Sequence, residues 1–213
     1  MSPILSSMLT AAGGVLAGIA ATGPLLWRQQ QALSRARCAA EHDDTTGLPN
    51  RRALLAALTR RLRGNQPCGV VLLDLDGFKA INDTFGHEVG NDALTEVGRR
   101  LAALVFPVRL AARLSGDEFA LLVDGGPDQV AAAAQAAWRA VSRDPVRLGH
   151  RDVAVNPSVG HATAGAGATA QALLRRADMA MYEAKTTGTG VRAATTAPFP
   201  VPRHRRYRDL PRA

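Results

Sequence analysis

Apolar positions change their spacing several times between residues 51 and 194, and each change predicts an element. Over Arg51–Arg63, Leu54, Leu55, Leu58 and Leu62 recur at helical spacing, and Gly64–Pro67 ends the run. Gly69-Val70-Val71-Leu72-Leu73 is continuously apolar, as a strand buried on both faces would be, and it runs into Asp74-Leu75-Asp76. The period of two in a strand puts Asp74 and Asp76 on one side. Gly77 opens a helix, Gly86–Asn91 breaks it, and Asp92–Val105 forms another with Leu94, Val97, Leu101 and Leu104 inward. Two apolar runs, Val108–Leu114 and Phe119–Val123, flank Ser115-Gly116-Asp117-Glu118 and predict a β-hairpin with an acidic tip. Asp128–Ser142 is an Ala-rich helix with Trp138 as its large anchor. Val153–Thr163 is a strand interrupted by Pro157, which argues for an edge or bulged position. A helix over Thr169–Thr187 and a short strand over Gly190–Ala194 complete the set. One hairpin among crossovers means an α+β fold, with a mixed, mostly antiparallel sheet flanked by helices.

Upstream, Ile4–Trp27 contains no charged residue. A helix of that length spans about 36 Å, enough to cross a bilayer with some tilt. Arg28, Arg35 and Arg37 follow it, so the positive-inside rule puts everything after Arg28 in the cytoplasm. Residues 1–27 are therefore expected to be a single-pass transmembrane helix in the cell membrane. Residues 28–42, polar and without Gly or Pro, are expected to be a helical linker, residues 43–193 the globular domain, and residues 194–213 a disordered Pro/Arg-rich tail.

Charge adds little about chemistry. The formal net charge is +8, and Pro198–Ala213 supplies five Arg against Asp209. That tail holds only Phe199 and Tyr207 as aromatics and shows no binding fold, so no nucleic-acid partner is expected. Cys38 and Cys68 share no metal-type spacing and make no disulfide framework.

The carboxylates are more informative. A plain turn is content with one Asp, whereas Asp117 and Glu118 repel each other, a cost that a cation or a proton-transfer task offsets. If the strand ending at Asp74 neighbours the hairpin, both acidic strand ends meet. Side-chain oxygens plus a backbone carbonyl suit Mg²⁺, which completes its octahedron with phosphates and water. The glycine turn at Gly77 that opens a helix offers backbone N–H groups to phosphate oxygens. Such a set points to nucleotidyl or phosphoryl transfer.

Four stretches in order, Asp43–Arg52, Asp74–Asn91, Ser115–Phe119 and Ala177–Lys185, resemble the successive signatures of GGDEF-domain diguanylate cyclases. The resemblance implies a palm-like fold similar to that of nucleotidyl cyclases, working as a homodimer in which each domain holds one GTP. It implies condensation of two GTP to cyclic di-GMP and pyrophosphate with Mg²⁺ or Mn²⁺. Carried over by position, Asp74, Asp117 and the Leu75 carbonyl would bind metal, and Glu118 would serve a second metal or the attacking hydroxyl. Gly77, Phe78 and Lys79 would present amides to the β- and γ-phosphates, Lys185 would neutralise phosphate charge, and Asn82 would hydrogen-bond guanine. Asp76 is expected to be structural.

The chain departs from the family at Ser115 (usually Gly), Asn91 (usually a guanine-binding Asp) and Thr189 (usually a phosphate-binding Arg). The family's inhibitory Arg-x-x-Asp falls on Phe106 and Arg109, so feedback inhibition through it is expected to be absent. An alternative reading follows from these departures: a weak or inactive GGDEF module that signals by binding GTP and dimerising.

Overall fold

The computed structural model describes residues 26–31 and 40–194. Residues 26–31 are helical, and no helix among the described residues is long and apolar enough to cross a membrane. Most of the expected membrane helix and linker, and nearly all of the tail, lie outside the described residues.

Helix α1 (Arg51–Arg63) starts where the Asn50 side chain accepts from the amides of Arg52 and Ala53, and it ends on Arg60, Arg61 and Arg63, charges that complement the carbonyl end. Its Leu54 and Leu58 are fully buried, each contributing about 1.5–3 kcal/mol through burial. Strand β1 (Cys68–Leu75) is buried at all eight positions. Helices α2 (Phe78–Phe85) and α3 (His87–Ala102) follow, then the hairpin β2 (Val108–Ser115) and β3 (Glu118–Asp124), and helix α4 (Pro127–Ser142). Strands β4 (Val146–Leu148) and β5 (Arg151–Val153) form a small hairpin of their own. Strand β6 (Pro157–Thr163), helix α5 (Ala170–Thr187) and strand β7 (Val191–Ala193) complete the domain.

The main sheet runs β2-β3-β1-β6-β7, antiparallel throughout except for the parallel β6–β7 pair. Residue parity divides the core. Val71, Leu73 and Leu75 of β1 pack with Phe119, Leu121 and Val159 against α2, α3 and α4. Val70 and Leu72 pack with Ala120 and Leu122 against α1 and α5. Asp74, continuing the even series, therefore points to the α5 side.

Three boundaries differ from the sequence expectation. The helix break is confined to Gly86, at φ 86°, and α3 already begins at His87, so Gly90 and Asn91 lie inside it. Val153–Thr163 is two strands in two sheets. Pro157 is the first residue of β6, where the missing N–H removes no interior ladder bond, so β6 lies between β1 and β7 and is no edge strand. The β4–β5 hairpin, turning at Gly149 with φ 61°, was hidden in a segment too short to show a period.

Candidate active site

Strand register assembles the acidic centre. In the β1–β3 pair Asp74 lies opposite Glu118, and on the other flank it lies opposite Ser158. The Leu75 amide donates to the Asp117 carbonyl at 3.2 Å. The N–H and C=O of one strand residue face the same neighbour, so the Leu75 carbonyl is also turned toward the hairpin tip. Asp74, Leu75, Asp117 and Glu118 thus meet at one strand end. Asp76 stands exposed beyond them, its amide donating to the Asn156 carbonyl and its carboxylate accepting from the Ser158 hydroxyl, both at 2.8 Å. Both contacts tie it to the start of β6.

A close contact between helix and sheet brings in the cation. A Cβ on Gly160 would lie 2.1 Å from the Met181 amide nitrogen and 2.2 Å from the Ala177 carbonyl oxygen, so α5 rests directly on β6 there. From Met181 to Lys185 the helix advances about 6 Å, and from Gly160 to Ser158 the strand advances about 6.6 Å. The match delivers Lys185 to the level of Asp74, and the two form an ion pair. Asp74 is 1% exposed, so the ammonium offsets much of the cost of burying that carboxylate.

Burial, and after it the charge of Asp74, push the Asp117 carboxyl above its ordinary value, against the pull of Lys185. Three carboxylates thus crowd one strand end, and Lys185 is paired with one of them, Asp74. A divalent cation is what such a donor set fits. Among the described residues no group of three or more His, Cys, Asp and Glu is placed to hold a metal ion by itself.

Two further features of the sequence reading lie on α2 and α3, which follow the acidic end of β1. Gly77, at φ 68°, turns the chain into α2 without a side-chain cap, leaving the first-turn amides of Phe78 and Lys79 at an open helix start. Phe78 is buried as an anchor while Lys79 is exposed. Asn82 on α2 faces Gly90 on α3, where a Cβ would meet its Oδ1 at 1.9 Å. Gly90 thus makes room for the Asn82 amide, and exposed Asn91 is the next residue.

Residues to which the sequence reading gave no role hold the hairpin tip. Arg113, 9% exposed, donates from Nε and Nη2 to the Gly116 carbonyl at 2.9 and 2.7 Å, and from Nη1 to Asp43 at 2.8 Å. Its own amide donates to the Pro49 carbonyl. Burial raises the Asp43 carboxyl, but Arg113 and Thr46 outweigh that and hold it below the usual carboxylate range. The signal for this brace is Arg113 next to the acidic tip, a buried charge in the otherwise mostly apolar run Val108–Leu114. Ser115 donates to Glu118 Oε2 at 3.2 Å, so the hydroxyl at this usual Gly position gains a partner.

Comparison with known proteins agrees with this geometry. Residues 40–190 match the family model described as diguanylate cyclase, GGDEF domain. The response regulator PleD of Caulobacter vibrioides is 40% identical over 157 residues, spanning 68% of this chain and 34% of the relative. The bifunctional diguanylate cyclase/cyclic di-GMP phosphodiesterase MucR of Pseudomonas aeruginosa is 39% identical over 153 residues, 69% of this chain and 22% of the relative. The chain thus spans 34% and 22% of the length of these two curated relatives. The coiled coil and GGDEF domain of DgcB from Caulobacter crescentus, solved with c-di-GMP, superposes with a TM-score of 0.76 at 28% identity, covering 84% of this chain and 99% of that one. With the family signatures on one strand end, one helix start and one helix face of the expected palm-like fold, this chain belongs to the GGDEF-domain diguanylate cyclase family.

Proposed function

We propose that this protein is a membrane-anchored diguanylate cyclase that joins two GTP molecules into cyclic di-GMP with release of two pyrophosphates. The observation that carries the reading is the meeting of Asp74, Asp117, Glu118 and Lys185 at one strand end, in a chain of this family. Each protomer of a homodimer holds one GTP, and the 3′-hydroxyl of each attacks the α-phosphate of the other. Asp74, Asp117 and the Leu75 carbonyl hold a divalent cation, Mg²⁺ or Mn²⁺, which when bound neutralises the triphosphate and polarises the α-phosphate. Glu118 serves a second cation or accepts a hydrogen bond from the attacking hydroxyl. The amides at Gly77, Phe78 and Lys79 seat the β- and γ-phosphates at the start of α2, and Lys185 turns from Asp74 toward phosphate charge. Asn82 and Asn91 take the guanine edge. Residues 1–27 anchor the domain on the cytoplasmic side of the membrane.

Incubating the full chain with GTP and Mg²⁺ or Mn²⁺ tests this. Cyclic di-GMP and pyrophosphate should accumulate, and no product at high protein concentration would sink the reading. A second reading, a GTP-binding module that signals without turnover, draws on Asn91 and Thr189 and on the engagement of Lys185 by Asp74. GTP binding without product is its signature.

A further inference from the structure

The geometry points to Arg192 as a triphosphate-binding residue, an inference that rests on the GTP reading above and sharpens it. Lys185 pairs with Asp74, so its charge is shared between that carboxylate and any phosphate, and a second cation on the phosphate side would add to it. Arg192 is exposed on β7, and among the described residues no carboxylate pairs with its guanidinium. The backbone carries it to the site. Where α5 ends, the Thr189 amide donates to the Ala184 carbonyl at 3.2 Å, which folds Thr189 back beside the turn bearing Lys185. The Val159 amide donates to the Gly190 carbonyl at 2.8 Å, fixing Gly190 one residue from Ser158, the β6 partner of Asp74.

Arg192 itself pairs with Gly160, two residues farther from the strand end. Its side chain reaches back along the sheet, and Nε donates to the Thr189 hydroxyl at 3.0 Å. That hydroxyl lies 3.0 Å from the Thr187 hydroxyl, so a short chain of polar contacts holds the stem of the guanidinium. Among the described residues neither terminal nitrogen has a hydrogen-bond partner, so both are available to a ligand. A planar fork fixed at Nε and open at both Nη atoms matches two phosphate oxygens. The ligand class is a nucleoside triphosphate whose outer phosphates lie between Lys185 and Arg192.

Direct binding to the full chain, read by calorimetry with Mg²⁺ and 3′-deoxy-GTP, which lacks the attacking hydroxyl, separates the contact from turnover. Arg192→Ala should weaken 3′-deoxy-GTP binding roughly tenfold or more, while 3′-deoxyguanosine binds as it does to the parent. Arg192→Lys should recover part of the loss, since it keeps the charge and loses the fork. Thr189→Val, which removes the hydroxyl and keeps the shape, should give a smaller loss of the same phosphate-dependent kind. Equal weakening of nucleotide and nucleoside, or an Arg192→Ala protein that binds 3′-deoxy-GTP like the parent, would overturn the assignment and leave the GTP reading standing. A parent protein that binds no 3′-deoxy-GTP would overturn both.

Discussion

Asp117 carries an ionisable group into surroundings that disfavour its charge, first by burial and then through Asp74. Its proton is held more tightly in the folded chain than in the unfolded one. Stability therefore falls as pH rises through the ordinary Asp range to the raised folded value, and at neutral pH the ionised carboxylate is a standing cost. Asp117→Asn is expected to melt higher than the parent at pH 7 while cyclic di-GMP synthesis drops by orders of magnitude. A lower melting temperature would mean that the carboxylate is structural. Mg²⁺ should raise the parent's melting temperature and leave that of the variant nearly unchanged. At Asn91, exposed beside the Asn82–Gly90 contact, an amide replaces a charge. Asn91→Asp should lower the KM for GTP roughly tenfold, the worth of one charge-assisted bond; steady-state kinetics with GTP against ATP would check this, and an unchanged KM would remove Asn91 from the guanine contacts.

Among the elements, the α5–β6 contact sets the site geometry, and Gly160 permits it. Gly160→Ala puts a methyl into the Met181 and Ala177 backbone, which cannot yield as a side chain tip can. The variant should lose about 1–3 kcal/mol in denaturant unfolding. It should also lose more activity than its unfolded fraction explains, because Lys185 shifts with α5. Elements of strong period were legible in the sequence: β1, the acidic hairpin, α1 and α5 follow their apolar spacing to within a residue or two. The start of α3 was not, because a run of Gly and polar residues marks a break without saying how wide it is. The placing of β6 was missed because Pro157 excludes an interior ladder bond but tolerates the first position of a strand. The site was half legible. Asp74 and the hairpin carboxylates announce themselves as charges on apolar strands, whereas the Arg113 brace and the Thr189–Arg192 contact depend on partners that only the fold brings near.

For the whole molecule, the proposed condensation needs two protomers, since in that reading each domain holds one GTP. Specific activity should therefore rise with protein concentration and level off once dimers dominate. A value independent of concentration over a hundredfold dilution would refute the dimer requirement. Under the proposed anchoring, removing residues 1–27 should shift that rise to higher concentration, because confinement to a membrane would raise the effective concentration of partners. The pairing of Lys185 with Asp74 spans 111 positions of the chain, and this gives the site an order of assembly. A ribosome delivers both acidic strand ends long before it delivers α5. Docking of that helix, among the last steps available to the nascent domain, brings the ammonium to the buried carboxylate. A chain halted before residue 185 holds the acidic ends without their balancing charge, so the substrate site matures only when the domain is nearly complete.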